Sequence, residues 1–198
     1  MKRYEIAHAR DPDWQKLPAI EVDEWQWQAK MNIRMQAKLC WNAQGLKLFL
    51  QAWEKDIRAE HTQPLDMVCE DSCMEFFLRP DENDLRYFNF EINPNGAMFA
   101  GFGAGREEIV RLILPETYDL RQKTQRTPDG WTAQYCIPAG LIRTFFPGFR
   151  MEPGMRMRAN FYKCGHKTRH PHYITWNPVD SPVPSFHRPQ DFGEIILL

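Results

Sequence analysis

The sequence predicts an all-β protein, an antiparallel two-sheet sandwich with one or two short helices. Three observations predict it. Apolar and polar residues alternate with period two in several stretches, turn-forming Gly, Pro and Asn separate those stretches, and the intervals leave no room for repeated crossover helices. A doubly wound fold needs such helices between its parallel strands, so it is excluded. The 198 residues suit a single domain, 1–198, with enough chain to bury a core without staples.

The elements follow in chain order. A helical turn is expected near Asp13 to Lys16. Ile33, Met35, Ala37, Leu39 and Trp41 alternate with Arg34, Gln36, Lys38 and Cys40, and Leu46, Leu48, Leu50 and Ala52 with Lys47, Phe49, Gln51 and Trp53. The short Asn42-Ala43-Gln44-Gly45 link between them makes a β-hairpin. A second hairpin joins residues 73–79 to 86–92 through Pro80-Asp81-Glu82-Asn83-Asp84, and Asn93-Pro94-Asn95-Gly96 turns the chain into the apolar run Ala97 to Phe102. Further strands are expected at 109–114, 118–125, 130–137, 155–163, 172–176 and 193–198. Leu141, Ile142, Phe145 and Phe146 are spaced for a short helix over 139–146, which Pro147-Gly148 stops.

Alternation also assigns faces, because successive strand side chains point oppositely. Met74, Phe76, Leu78, Phe88, Phe90 and Ile92 form one apolar set, leaving Glu75, Phe77, Tyr87, Asn89 and Glu91 on the other side. Met155, Met157, Ala159 and Phe161 face inward, with Arg156, Arg158, Asn160 and Tyr162 outward. These outer faces combine rings with carboxylates, amides and guanidinium groups. Flat apolar faces beside hydrogen-bonding groups suit a sugar ring, whose C–H groups stack while its hydroxyls pair.

Composition narrows the partners. The chain has 25 basic and 26 acidic residues, scattered rather than striped, which argues against nucleic acid and anionic lipid. No apolar run is long enough to span a bilayer, so no membrane partner is expected. The opening Met1-Lys2-Arg3-Tyr4-Glu5-Ile6 lacks the apolar stretch of a secretory signal, which favours the cytoplasm, or secretion if a leader has been removed. Five cysteines without paired metal-ligand spacing read as free thiols in a reducing compartment. His166, His170, His172 and His187 have no spacing that brings them together on a metal, whose ligands are left unknown. Gly101-Phe102-Gly103-Ala104-Gly105-Arg106 lacks the helix and the Lys-Ser/Thr pair of a phosphate loop and reads as a tight loop presenting Arg106 at a site rim.

The motifs resemble a known family. Glu70-Asp71-Ser72-Cys73-Met74-Glu75-Phe76-Phe77 is similar to the acidic strand of family 9 carbohydrate-binding modules, and Tyr87-Phe88-Asn89-Phe90-Glu91-Ile92-Asn93 to the strand after it. Ala159-Asn160-Phe161-Tyr162-Lys163, Thr175-Trp176 and Phe192-Gly193 resemble the end of the same module. The resemblance implies an immunoglobulin-like, DOMON-like sandwich, often attached to xylan- or glucan-degrading enzymes, with structural calcium as a possible companion. It also implies two tryptophans sandwiching a terminal sugar. The first would fall at Val68 or Cys69 and is missing, the second matches Phe186, Glu75 matches a sugar-contacting acid, and Asn89 replaces a basic contact.

The expected function is therefore non-catalytic binding of poly- or oligosaccharide, linked to carbohydrate catabolism. Phe186 is the stacking platform and Trp176 is either a second platform or a core ring. Glu75, Asn89, Arg106, Asn160 and Tyr162 supply hydrogen bonds, with His187 at the rim. Two alternatives stay open: a hydrolase of O-glycosyl compounds using Glu75 and Glu91, and a ligand-free interaction domain. The expected partner is carbohydrate, and the oligomeric state is left open.

Overall fold

The alternating stretches pair as their turns dictate. The computed structural model describes residues 1–198. β4 (Arg34–Asn42) and β5 (Gly45–Trp53) form the first hairpin, and β6 (Cys73–Arg79) pairs with β7 (Tyr87–Ile92), which pairs in turn with β8 (Met98–Gly103). β10 (Lys123–Thr127), β11 (Gly130–Pro138), β12 (Arg156–Cys164) and β14 (Gly193–Leu197) are the later long strands, with the single α-helix, α1 (Ala139–Phe145), between β11 and β12. β2 (Ile20–Val22), β3 (Glu24–Trp25), β9 (Val110–Arg111) and β13 (Tyr173–Thr175) are short.

Four sequence expectations are corrected. The chain near Asp13 makes one hydrogen-bonded turn, Lys16 N–H to Asp13 C=O at 3.0 Å, and no helix. The strand expected at 109–114 shrinks to β9. The one expected at 118–125 becomes a 3-10 turn (Glu116–Tyr118) followed by β10, because the polar run 121–127 pairs only with β11. The expectation of uniformly antiparallel pairing also fails. β1 (Arg3–His8) runs parallel to β14 along Arg3 to Ile6 and parallel to β4 at Ala7 and His8. Long connections separate β1 from both neighbours, so no tight turn forces a reversal.

β1 joins everything into one curled mixed sheet, in the order β10-β11-β5-β4-β1-β14-β12-β6-β7-β8-β9. The curl brings the two halves over a common core. Leu39, Leu48 and Tyr135 from one half share a buried cluster with Phe76, Phe90 and Phe161 from the other, and the Phe90 and Tyr135 rings lie 6.4 Å apart. The even-numbered β6 and β7 residues enter this core as alternation predicts. The odd-numbered set does not face open water: Phe77 and Tyr87 join Tyr162, Phe186 and Phe192 in a second buried cluster under the loops. No helix is long and apolar enough to cross a membrane.

Candidate functional site

The second cluster supports a cleft of about 450 Å³ on the outer face of β6, β7 and β8. Its floor comes from register. β6 and β7 set Glu75 directly opposite Glu91 and Phe77 opposite Asn89. Asn89 Nδ2 donates to Glu91 Oε1 at 2.8 Å, which orients that carboxyl. The polar partner of Glu75 is the Cys164 thiol, 2.8 Å from its Oε1. Asn89 faces Gly101 on β8, and a Cβ at Gly101 would lie 2.2 Å from Asn89 Oδ1. Glycine here is thus a packing requirement of the floor, and Gly101 belongs to a strand instead of the loop its spacing suggested.

The walls are loops tied from below. The segment Pro184–His187 forms one wall: Phe186 stacks on Tyr162 at 4.1 Å and 10°, while its carbonyl accepts the Tyr162 hydroxyl. His187 Nδ1 pairs with the Tyr87 hydroxyl at 2.7 Å. Trp27 reaches the same loop, donating Nε1–H to Ser181 C=O at 2.7 Å and packing 5.9 Å from Phe186. The opposite wall carries Cys69 and Glu70 from a 3-10 turn (Val68–Glu70). Asp71 anchors that turn, because its Oδ2 accepts Glu60 N–H, His61 N–H and Asn93 Nδ2. Arg106 rises from a 3-10 turn after β8, and Tyr173 with His166 closes the remaining side, their rings 5.2 Å apart.

Five of the eight residues singled out from sequence line this one cleft: Glu75, Asn89, Arg106, Phe186 and His187. The other three do not. Asn160 is fully buried and holds the backbone together, Oδ1 accepting Phe161 N–H and Asn177 N–H while Nδ2 donates to Asn177 C=O. Tyr162 is fully buried behind Phe186 and supports it. Trp176 packs in the main core against Phe161 and over Gly193, so of its two readings the core ring is the one realised. Phe186 itself is only 7 % exposed, which leaves a margin of its ring to the cleft. The half-buried Tyr173 ring is the larger aromatic surface there. Sequence reasoning missed Tyr173, Glu70 and Cys69. The pairing of β13 with β12, which places Tyr173 beside Cys164, involves only three residues and leaves no periodic signal.

Burial sets the electrostatics. Glu75 and Glu91, which alternation places on the outer face, are only 3 % and 7 % exposed. Desolvation, then the neighbouring Glu91, holds Glu75 well above the usual carboxylate range. Desolvation pushes Glu91 up to about 7, with the Asn89 hydrogen bond opposing. His187 is pushed down to about 4 by burial and then by Arg106, so its imidazole is neutral at pH 7. Burial therefore favours the uncharged forms of Glu75 and His187, while Glu91 titrates near neutrality.

A pH dependence follows. An unfolded Glu91 ionises near 4.5 and the folded one near 7, so the unfolded state loses its proton first. The contribution of Glu91 is complete below 4.5 and declines as pH rises through 7, by on the order of 3 kcal/mol. His187 acts in the opposite sense between about 4 and 6.5. The Glu91 effect is therefore read as a difference: denaturation of wild type against Glu91→Gln should show the wild type losing relative stability across pH 4.5–8. A flat difference would contradict the burial argument.

Behind the floor lies a buried ionic network. Lys163, wholly inaccessible, donates to Glu54 Oε1 (3.1 Å), His172 Nε2 (2.8 Å) and Cys164 C=O (3.0 Å). Glu54 also accepts Trp131 Nε1–H at 2.7 Å and the Ser72 hydroxyl at 2.9 Å. His172 donates Nδ1–H to His170 C=O and is pushed down to about 3 by burial and then Lys163, which keeps it a neutral acceptor. The histidines considered as a metal group thus have separate partners, with His172 in this network, His187 on Tyr87 and His170 beside Asp56.

An all-β module with a polar-floored, aromatic-walled cleft on one flank belongs to the class of ligand-binding β-modules. The family defined as carbohydrate-binding family 9 matches residues 8–197, and the chain belongs to it. Its fold is similar to that of a candidate carbohydrate-binding protein from Bacteroides uniformis (TM-score 0.86, 24% identity, 100% of this chain and 99% of that one). It is also similar to a family 9 carbohydrate-binding module from Caldicellulosiruptor kristjanssonii. That module is known in complex with glucose (TM-score 0.73, 16% identity, 100% and 96% covered) and with cellotriose (TM-score 0.73, 16% identity, 99% and 93% covered). No curated protein matches the chain significantly.

Proposed function

We propose that the cleft binds a neutral sugar unit of a xylan- or glucan-type chain, without cleaving it, in the service of carbohydrate catabolism. The observation that carries this reading is the convergence of Glu75, Glu91 and Asn89 on one floor, with Arg106, His187 and Tyr173 around it. Sugar hydroxyls both donate and accept, which matches carboxyls biased toward the protonated form, a neutral imidazole and an amide. Tyr173 supplies the ring for C–H stacking in place of the missing tryptophan. Family membership and the two ligand complexes of the Caldicellulosiruptor module support the assignment. The curled sheet is read as the two-layer, DOMON-like sandwich of that family, a reading supported by the core shared between its halves. The five free thiols support a reducing compartment such as the cytoplasm.

Hydrolysis is the weaker reading. A glycosidase keeps one carboxyl ionised while raising the other. Here burial pushes Glu75 and Glu91 the same way. Calcium is given no part in the proposed binding, since it takes six to eight oxygen ligands. Glu75 faces a thiol, Glu91 an amide, and Asp71 Oδ2 accepts three N–H groups.

Calorimetric titration with gluco- and xylo-oligosaccharides tests the proposal. Binding by wild type should weaken by about 1 kcal/mol, roughly fivefold, in Tyr173→Ala. No heat with any sugar at millimolar concentration would leave an interaction domain as the better description.

A further inference from the structure

We propose that Cys73, Cys164 and Glu75 form a binding site for one thiolate-preferring divalent cation of the zinc class, beneath the cleft floor. The site shares Glu75 with the proposed sugar contacts, but its two thiols lie outside the cleft lining and it does not require sugar binding. Cys73 and Cys164 are directly opposed in the β6–β12 register, and Glu75 lies two residues along β6 on the same face. One donor atom from each lies within 4.8 Å of the other two, and all three residues are buried. Tetrahedral sulfur and oxygen donors around zinc lie about 3.5–3.8 Å apart, so the 2.8 Å contact between Cys164 and Glu75 would open slightly on binding. Three protein donors leave one coordination position for solvent, as in open zinc sites.

Chemistry selects the ion. Two thiols and one carboxyl are a poor offer to a hard oxygen-seeking cation and a good one to zinc, cobalt or cadmium. The donors sit on paired strands, so little ordering is required on binding. Glu75 also lines the cleft, which gives the ion a route from solvent. Binding would displace the thiol protons of Cys73 and Cys164 and the carboxyl proton of Glu75 to solvent while forming two metal–sulfur bonds and one metal–oxygen bond, with no change of oxidation state. Of the three other thiols, Cys69 lines the cleft nearby, whereas Cys40 and Cys136 flank Lys47 on the other half of the sheet and serve as an internal control.

The test is titration of the reduced, chelator-stripped full chain with Co²⁺, without sugar. The expected result is a thiolate-to-cobalt charge-transfer band with tetrahedral d–d bands, saturating at one equivalent and abolished by Zn²⁺. The band should persist in Cys40→Ser/Cys136→Ser and vanish in Cys164→Ser. Glu75→Gln should weaken Co²⁺ binding by more than the roughly 10- to 100-fold that loss of an outer-shell partner costs. Absence of the band in wild type, or its survival in Cys164→Ser, overturns the site. Should Cys164→Ser fail to fold, thiol labelling of the wild type decides. Zn²⁺ should slow labelling of Cys73 and Cys164 and leave Cys40 and Cys136 unchanged, and equal rates with and without Zn²⁺ overturn the site. Sugar titration is a separate measurement, so failure of either proposal leaves the other standing.

Discussion

Glu54→Ala is expected to destabilise the fold by about 3–5 kcal/mol, the cost of leaving a buried charge without its partner. Lys163 has no route to solvent, and Glu54 is its only anionic partner within 4 Å. The same substitution removes the acceptor for Trp131 Nε1–H and for the Ser72 hydroxyl. Urea denaturation of both proteins at pH 7 measures the difference. Adding Lys163→Met to Glu54→Ala should recover part of the loss, because removing both charges of a buried pair costs far less than removing one. A single-variant loss below about 1 kcal/mol, or no recovery in the double variant, would mean that water reaches Lys163.

Phe77→Ala is expected to cost about as much, 3–5 kcal/mol, through the cavity it leaves, and to abolish sugar binding as well. Phe77 is fully buried at the centre of the cluster behind the cleft. It stacks on Tyr87 at 5.6 Å and meets Tyr162 and Phe192 edge-on at 4.9 and 6.3 Å, with the His187 ring at 5.2 Å. Those rings position the hydroxyl that holds His187 and the surface that backs Phe186. Denaturation and oligosaccharide titration on one variant separate the two effects. A stable variant that still binds would show that the wall does not rely on this ring. Phe76→Ala, one residue away but facing the main core, is the comparison: it should lose stability with a smaller effect on the cleft.

The contrast between Phe76 and Phe77 shows what the amino-acid pattern contains. Alternation through β6 and β7 separates core positions from site positions because a strand has a period of two whatever it packs against. The hairpins, the helix at Ala139–Phe145 and the shared face of Glu75, Asn89 and Glu91 are legible for that local reason. β1 was not legible. Its six residues gain their meaning from two partners at distant places in the chain, and nothing local records a parallel pairing. Alternation places Asn160 and Tyr162 on the correct face, but whether that face is covered depends on the loop carrying Ser181 and Phe186.

By itself, then, the order of residues determined the all-β class, the side of each strand that points inward, and the family resemblance carried by the Asp71-Ser72 and Phe192-Gly193 motifs. Tertiary structure alone decided that Glu75 and Glu91 are buried together, that Lys163 finds Glu54 and His172, and that Tyr173 lines the cleft. The physical reason is range. Strand periodicity is fixed by neighbouring backbone geometry, whereas burial and charge pairing depend on groups brought together by the curl of the sheet.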